Sequence, residues 1–335
     1  MINPELTLDP TSQVEDQPFD RSLRPKKLSE YIGQSNLTRN LRIILSSAKQ
    51  RQSQIDHLLF YGPPGLGKTT LASIVAYEAG VNFKPTAGPS LSKVSDLASI
   101  LTGLTEGDVL FIDEIHRLPP AVEEILYTAM EDFCLDIVIG QGPAAKSVRI
   151  ELPKFCLIGA TTRLSLLSAP LRDRFGAVFQ LEYYQPEEIA QILVRSAALL
   201  EIEIDPRAVE LLAGRSRRTP RLANRLLRRV RDFAIVEGDG IIVEPIVESA
   251  MQLLSIDSQG LDRLDRQFLE VIINFYDGGP VGIETLAASV GEERETLESV
   301  VEPYLMQLGL VERTAKGRKI TAHGVAHYNQ IGAFK

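Results

Sequence analysis

The chain has 335 residues, enough for two or three domains with cores of their own. It is 44% hydrophobic and 24% charged, and no apolar run is long enough to cross a bilayer. A formal net charge of −8 excludes a broad basic nucleic-acid-coating surface and confines any such contact to small basic clusters.

Residues 1–20 read as a flexible polar arm, acidic and without the plan of a signal peptide. Cys134 and Cys156 show neither metal-ligand nor C-x-x-C spacing and read as reduced core thiols, so a cytoplasmic setting is expected. Residues 22–34, SLRPKKLSEYIGQ, are fixed by Pro25 and carry Leu23, Leu28, Tyr31 and Ile32, ahead of a helix over 35–50. Then comes HLLFYGPPGLGKTT, residues 57–70. A short apolar strand breaks into a loop fitting G-x-x-x-x-G-K-[ST], and helical spacing resumes after it.

The chemistry of that loop is phosphate binding. Gly62, Gly65 and Gly67 let backbone N–H groups turn towards phosphate oxygens at the positive end of the following helix. Lys68 supplies a point charge to the β- and γ-phosphates, Thr69 a hydroxyl for Mg²⁺, and Thr70 a contact beside the α-phosphate. Residues 91–101 read as a helix, and VLFIDEIH, residues 109–116, as a buried parallel strand. That strand delivers Asp113 and Glu114 at its carboxyl end, where open α/β sheets bind ligands. An Asp beside a metal and a Glu that polarises water are what ATP hydrolysis needs. His116 could orient the same site.

A helix over 119–133 leads into two alternating runs, residues 134–152, around GQGPAAK. These read as an inserted β-hairpin whose Ile137, Ile139, Val148 and Ile150 suit either core or a partner-docking edge. FCLIGATTR, residues 155–163, is a further buried strand bringing up Thr161 and Thr162. SAPLRDRFG presents Arg172 and Arg174, and VFQLEYY closes the sheet. Helices over 186–200, 206–214, 219–236 and 243–254 then make a small helical domain. Residues 215–231 hold eight arginines, expected as a solvated basic face, with Arg221 the one directed to a phosphate. Beyond 255, three helices and a hairpin with a basic Thr-Ala-Lys-Gly tip make a winged helix, acidic overall but basic at Arg313, Lys316, Arg318 and Lys319. Histidines 323 and 327, spaced i, i+4 without companions, read as structural.

GPPGLGKTT, FIDEIH, GATTR, LRDRFG and RTPRLANRLLRR, in this order and with the hairpin and the wing, closely resemble the RuvB family. These are Holliday-junction branch-migration ATPases of the AAA+ class, and the likeness runs from about residue 20 to the end. It implies an α/β P-loop domain over 21–184 carrying the hairpin, an all-α lid over 185–255 and a winged-helix head over 256–335. It implies a homohexameric ATP- and Mg²⁺-dependent motor on duplex DNA, working with a RuvA-like junction-binding protein and a RuvC-like resolvase, with no membrane. Residue by residue, it implies a nucleotide pocket at Leu23, Arg24 and Tyr184, Thr162 as hydrolysis sensor, Arg221 as lid arginine and Arg174 as arginine finger. It further implies a RuvA contact at Val148 and Ile150 and DNA contacts at Arg294, Arg313, Lys316 and Arg318. Two departures stand out: Arg218 where the family usually has glycine, and TAKGRK where TPRGR is commoner. A clamp-loader-like switch and an ATP-sensing regulator with the same ATP site are the alternatives the residues leave open.

Overall fold

The computed structural model describes residues 22–139 and 146–331, so the expected arm and the hairpin tip lie outside the described residues. The chain divides into two compact units, Arg21–Tyr184 and Gln185–Lys335.

The first unit is built on five parallel strands: β1 (Leu58–Tyr61), β2 (Phe83–Ala87), β3 (Val109–Asp113), β6 (Cys156–Thr161) and β7 (Ala177–Gln180), in the order β2-β3-β6-β1-β7. The three inner strands are the uninterrupted apolar runs of the sequence. Leu58, Leu59, Phe60, Leu110, Leu157 and Ile158 are fully buried, as a sheet covered on both faces demands. β2 has no such run, and the sequence pattern does not announce it. Its Pro85 has no N–H to give a ladder, and the strand is tolerated because it sits at the sheet edge, paired with β3 alone.

The longer helices with these strands are α1 (Ser35–Arg51), α2 (Lys68–Ala79), α3 (Val94–Thr102) and α4 (Pro120–Asp132). α3 and α4 contribute Leu97, Leu101, Val122, Leu126 and Met130 to one core with Leu110, Ile112 and Leu157 of the sheet. The insertion is an antiparallel hairpin of β4 (Cys134–Ile139) and β5 (Lys146–Glu151), with Leu135 opposite Ile150 and Ile137 opposite Val148.

His57, just before β1, locks this unit from inside. The Leu157 N–H donates to Nδ1 at 2.8 Å, and Nε2 donates to the Met130 carbonyl at 3.1 Å, a pattern that needs the neutral ring. Burial pushes its pKa below the ordinary 6.5. A depressed basic pKa means the unfolded chain binds the proton first. The stabilisation from His57 is therefore complete above about pH 6.5 and declines as pH falls below it. A thermal-melt series across that range is expected to show this decline in the parent chain and a flatter profile in His57→Phe, which has lower stability throughout.

In the second unit α5 (Pro186–Leu199), α6 (Pro206–Arg215), α7 (Pro220–Glu237) and α8 (Glu244–Leu253) form the lid. Each begins with proline at its first or second position, where the missing N–H costs nothing. The expected solvated arginine face needs correction: Arg215, Arg217 and Arg225 are buried, at 7%, 3% and 5% exposure. For Arg215 and Arg217 the reason is distant carboxylates. Arg215 takes both oxygens of Glu248, and Arg217 meets Asp262 and Asp265.

The head follows with α9 (Arg263–Tyr276), α10 (Ile283–Val290) and a third helix running through Arg294–Thr296, a π-helical turn at Leu297–Val301, and Glu302–Gln307. Pro303 has no N–H for an α-type bond, and the widened turn lies directly before it. Strands β8 (Val311–Thr314) and β9 (Gly317–Ile320) make the wing. Gly317, at φ +137°, is required there, because a Cβ would lie 2.2 Å from the Val281 carbonyl oxygen, which accepts the Arg318 N–H at 2.7 Å. A last helix, α11 (Ala322–Ile331), was not legible in the sequence. Its buried His327 bonds Asp257 at 2.9 Å, so this histidine is structural.

Candidate nucleotide and DNA sites

The phosphate loop joins β1 to α2 at the carboxyl end of the sheet. Gly62, Gly65 and Gly67 all have positive φ, at 142°, 81° and 102°, a path closed to residues with a Cβ. At Gly67 a Cβ would also meet the Tyr31 hydroxyl at 2.9 Å. Lys68 is buried, and its Nζ donates to the Gly62 and Pro63 carbonyls at 2.7 and 2.9 Å, which holds the charge at the loop. Tyr184, 2% exposed, donates to the Tyr31 hydroxyl at 2.8 Å and lies 3.2 Å from the Leu66 carbonyl, so a residue expected in the nucleotide pocket braces the loop itself. Tyr31 was visible in the sequence only as an apolar position; its hydroxyl bond could not be. Leu23 is buried and Arg24 half-buried in the preceding segment. That segment is tied down by Gln34, whose side chain exchanges two hydrogen bonds with the Glu182 backbone.

Facing the loop's helix, Asp113 Oδ2 lies 3.5 Å from the Thr69 hydroxyl. A hydroxyl and a carboxylate converging in this way are hard oxygen donors, a set that fits Mg²⁺ with the rest of its shell from water and phosphate. Among the described residues no group of three or more His, Cys, Asp or Glu side chains forms a metal site. Glu114 follows in the left-handed region, φ +47°. Its Oε2 accepts from the Thr162 hydroxyl at 3.1 Å and lies 3.2 Å from His116 Nδ1, and that nitrogen is 2.9 Å from the Thr161 hydroxyl. Burial, then the Asp113 charge, push the Glu114 carboxyl above its ordinary range, the direction a general base near neutrality requires. The structure thus gathers Gly62, Gly65, Gly67, Lys68, Thr69, Thr70, Asp113, Glu114 and Thr162, with His116 and Thr161, which the sequence also offers, bonded to one another beside them.

Arg174 is exposed, its guanidinium 2.6 Å from Glu131 of α4. Arg221 lies in the first turn of α7, half-buried. Arg218 adopts φ +56°, and Arg217 before it φ +51°, so the turn keeps the left-handed path a glycine would favour. Arg218 also donates to the Gln185 side chain at 2.7 Å. On the hairpin Val148 is 41% exposed, whereas Ile150 packs against the core. In the head Arg294, Arg313 and Lys316 are exposed. Arg318 is different: it is buried, with Nε and Nη2 on Glu302 Oε2 at 3.0 and 2.7 Å, which makes it an anchor between wing and helix.

The family comparisons agree along the whole described chain. Residues 23–181 match the Holliday junction DNA helicase RuvB P-loop domain, 184–257 the RuvB AAA lid domain, and 258–329 the RuvB C-terminal winged helix domain. A curated relative from Kosmotoga olearia, a Holliday junction branch migration complex subunit RuvB, is 56% identical over 98% of this chain and 97% of its own length. The Thermotoga maritima RuvB Holliday junction branch migration motor superposes with a TM-score of 0.84 at 50% identity, covering 92% of this chain and 98% of that one. A point mutant of the same Thermotoga protein gives 0.85 at 50% identity, over 91% and 98%. With three consecutive domain matches and a relative this similar over nearly its full length, the chain belongs to the RuvB family.

Proposed function

We propose that this chain is the ATP-driven motor of Holliday-junction branch migration, a hexameric ring that moves duplex DNA across its heads. One observation supports the reading above the others. Lys68, the Thr69–Asp113 oxygen pair and the Glu114–Thr162 pair sit together at one end of a parallel sheet, in a chain whose relatives are named for branch migration. In this reading Gly62, Gly65, Gly67 and Thr70 cradle the phosphates of ATP, and Leu23, Arg24 and Tyr184 border the nucleoside. Thr69 and Asp113 would hold Mg²⁺, which would supply positive charge against the ATP phosphates. Glu114 takes a proton from the attacking water, and Thr162 orients Glu114 through the hydrogen bond described. Arg221 is proposed as the lid arginine and Arg174 as a finger acting on a neighbouring subunit. Exposed Val148 suits a RuvA-like partner better than half-buried Ile150, which holds the hairpin to the core. A RuvC-like resolvase joins the larger complex.

The test follows ATP turnover and junction movement together, with a four-way junction and the RuvA-like partner in the same tube. Partner-stimulated turnover that moves the branch point is expected, and Glu114→Gln is expected to lose about 10² to 10⁴ in turnover while still binding ATP. Brisk turnover with a stationary branch point would instead favour an assembly switch.

A further inference from the structure

The head is acidic overall, yet three of the four basic residues that the resemblance sends to DNA share a single acidic neighbour. Glu298, in the π-helical turn, lies 3.3 Å from both Nη2 and Nε of Arg294, 3.4 Å from Nη2 of Arg318 and 4.0 Å from Nη2 of Arg313. These arginines come from different places: Arg294 opens the helix, while Arg313 and Arg318 sit opposite each other on the two wing strands. One carboxylate, 19% exposed, thus bridges helix and wing. Although partial burial pushes its pKa upward, the arginines hold it below the ordinary carboxylate value, so it stays charged.

The three arginines are not equivalent. Each has a second carboxylate as well: Glu302 at 2.7 Å from Arg318 and 3.8 Å from Arg313, and Glu284 at 2.7 Å from Arg294, but among the described residues only Glu298 reaches all three. Arg318 is buried, whereas Arg294 and Arg313 are about half exposed, at 54% and 59%. A carboxylate accepting from arginine forks presents the same charge and oxygen geometry as a phosphate. We infer that Glu298 is a built-in phosphate surrogate, occupying Arg294 and Arg313 in the free head and yielding them to the DNA backbone on binding, and that it thereby sets how tightly a subunit grips duplex. This rests on the DNA-binding reading of the wing. A motor that steps must release each contact it makes, and an internal competitor weakens the grip without removing the cations that steer DNA in. Arg318 on Glu302 meanwhile fixes the wing while Glu298 changes partners.

The experiment measures equilibrium binding of the full-length chain to labelled linear duplex over a salt series, comparing the parent with Glu298→Gln. The carboxamide keeps the shape and removes the charge. About fivefold tighter binding at low salt is expected, the upper range for release of one exposed ion-pair partner. The slope of log affinity against log salt should stay that of the parent, because both chains engage the same phosphates in the complex, each contributing about 0.9. Glu312→Gln is the control, since Glu312 faces Lys319 at 3.8 Å and its loss removes the same charge away from the shared site. It should change affinity less and likewise leave the slope alone. Equal effects of the two variants, or no change with Glu298→Gln in a chain that melts normally, would overturn the inference. Arg294→Ala and Arg313→Ala separate the layers. If neither weakens DNA binding, the wing reading itself has failed; if both do while Glu298→Gln changes nothing, only the surrogate has. Should Glu298→Gln melt early, Glu298→Asp, which retracts the carboxylate from the arginines, must still tighten binding.

Discussion

An Arg174→Ala chain is expected to fold, bind nucleotide and assemble, yet to turn over ATP about 10³ to 10⁵ times more slowly, the range an arginine finger contributes. The structural loss in such a variant is small. Arg174 is exposed and makes one solvent-facing pair with Glu131, a contact contributing at most about 1 kcal/mol. The catalytic loss is large because the charge that builds on the phosphoryl group in the transition state would lack its mobile guanidinium, and water cannot replace a pre-positioned cation. Mixing provides the decisive measurement. A Lys68→Ala subunit has no working phosphate loop but keeps its finger; an Arg174→Ala subunit has the reverse. If the finger acts between subunits, a mixture of the two inactive chains recovers turnover at the interfaces that pair an intact loop with an intact finger. A mixture as inactive as its parts would sink the between-subunit assignment, and the ordinary melting curve expected of each variant would exclude misfolding as the cause.

What could be read in the sequence was what is local. The phosphate loop is legible because eight consecutive residues determine its backbone, and the three inner strands because apolar runs have no other stable place. Thr162 was legible as a hydroxyl at a strand end, and as a sensor through the family resemblance, but its bond to Glu114 was not, since 48 residues separate the two. β2 escaped because Pro85 reads as a strand breaker until the strand is known to be an edge. The arginine-rich stretch misled for the same reason of distance. Nothing near Arg217 or Arg225 in sequence shows that they are buried, and the carboxylates that neutralise Arg217 lie in the next domain. Arg318 is a parallel case: its place in a basic wing tip suggests an outward cation, while Glu302 draws it inward. Arg218 shows the converse, a departure from the usual glycine that changes the residue and keeps the turn.

The second large effect is expected at Arg217, where lid and head meet within one compact unit. Its guanidinium is 3% exposed and donates to the Gly260 carbonyl at 3.0 Å. It also contacts Asp262 and Asp265 at 3.1 and 2.5 Å and stacks over the Tyr304 ring at 5.1 Å. Asp262 and Asp265 are at the same time the reciprocal cap of α9, each accepting backbone N–H groups of that turn. Arg217→Met would leave two buried carboxylates without this cation, and breaking a buried pair on one side costs about 3 to 5 kcal/mol. For a unit of this size that is a fall in melting temperature of roughly 6 to 20 °C. The pH dependence has a definite sign. Burial already pushes the Asp265 carboxyl well above 3.8, and Arg217 opposes that push. Without Arg217 the folded pKa rises further, so the folded variant binds a proton that the unfolded chain releases. The deficit is therefore greatest at neutral pH and shrinks as pH falls towards 3.8. Arg217→Met combined with Asp265→Asn should recover much of the loss at neutral pH, because a neutral amide needs no cation. A single variant that melts within a degree of the parent at pH 7 would show that the pair contributes nothing. A deficit that grew on acidification would show that both carboxylates stay ionised without it. If both variants behave as expected, the residues that join lid to head are electrostatic rather than apolar. The turn carrying Arg217 and Arg218 then links the helix that begins at Pro220, and with it Arg221, to the cap of the head's first helix.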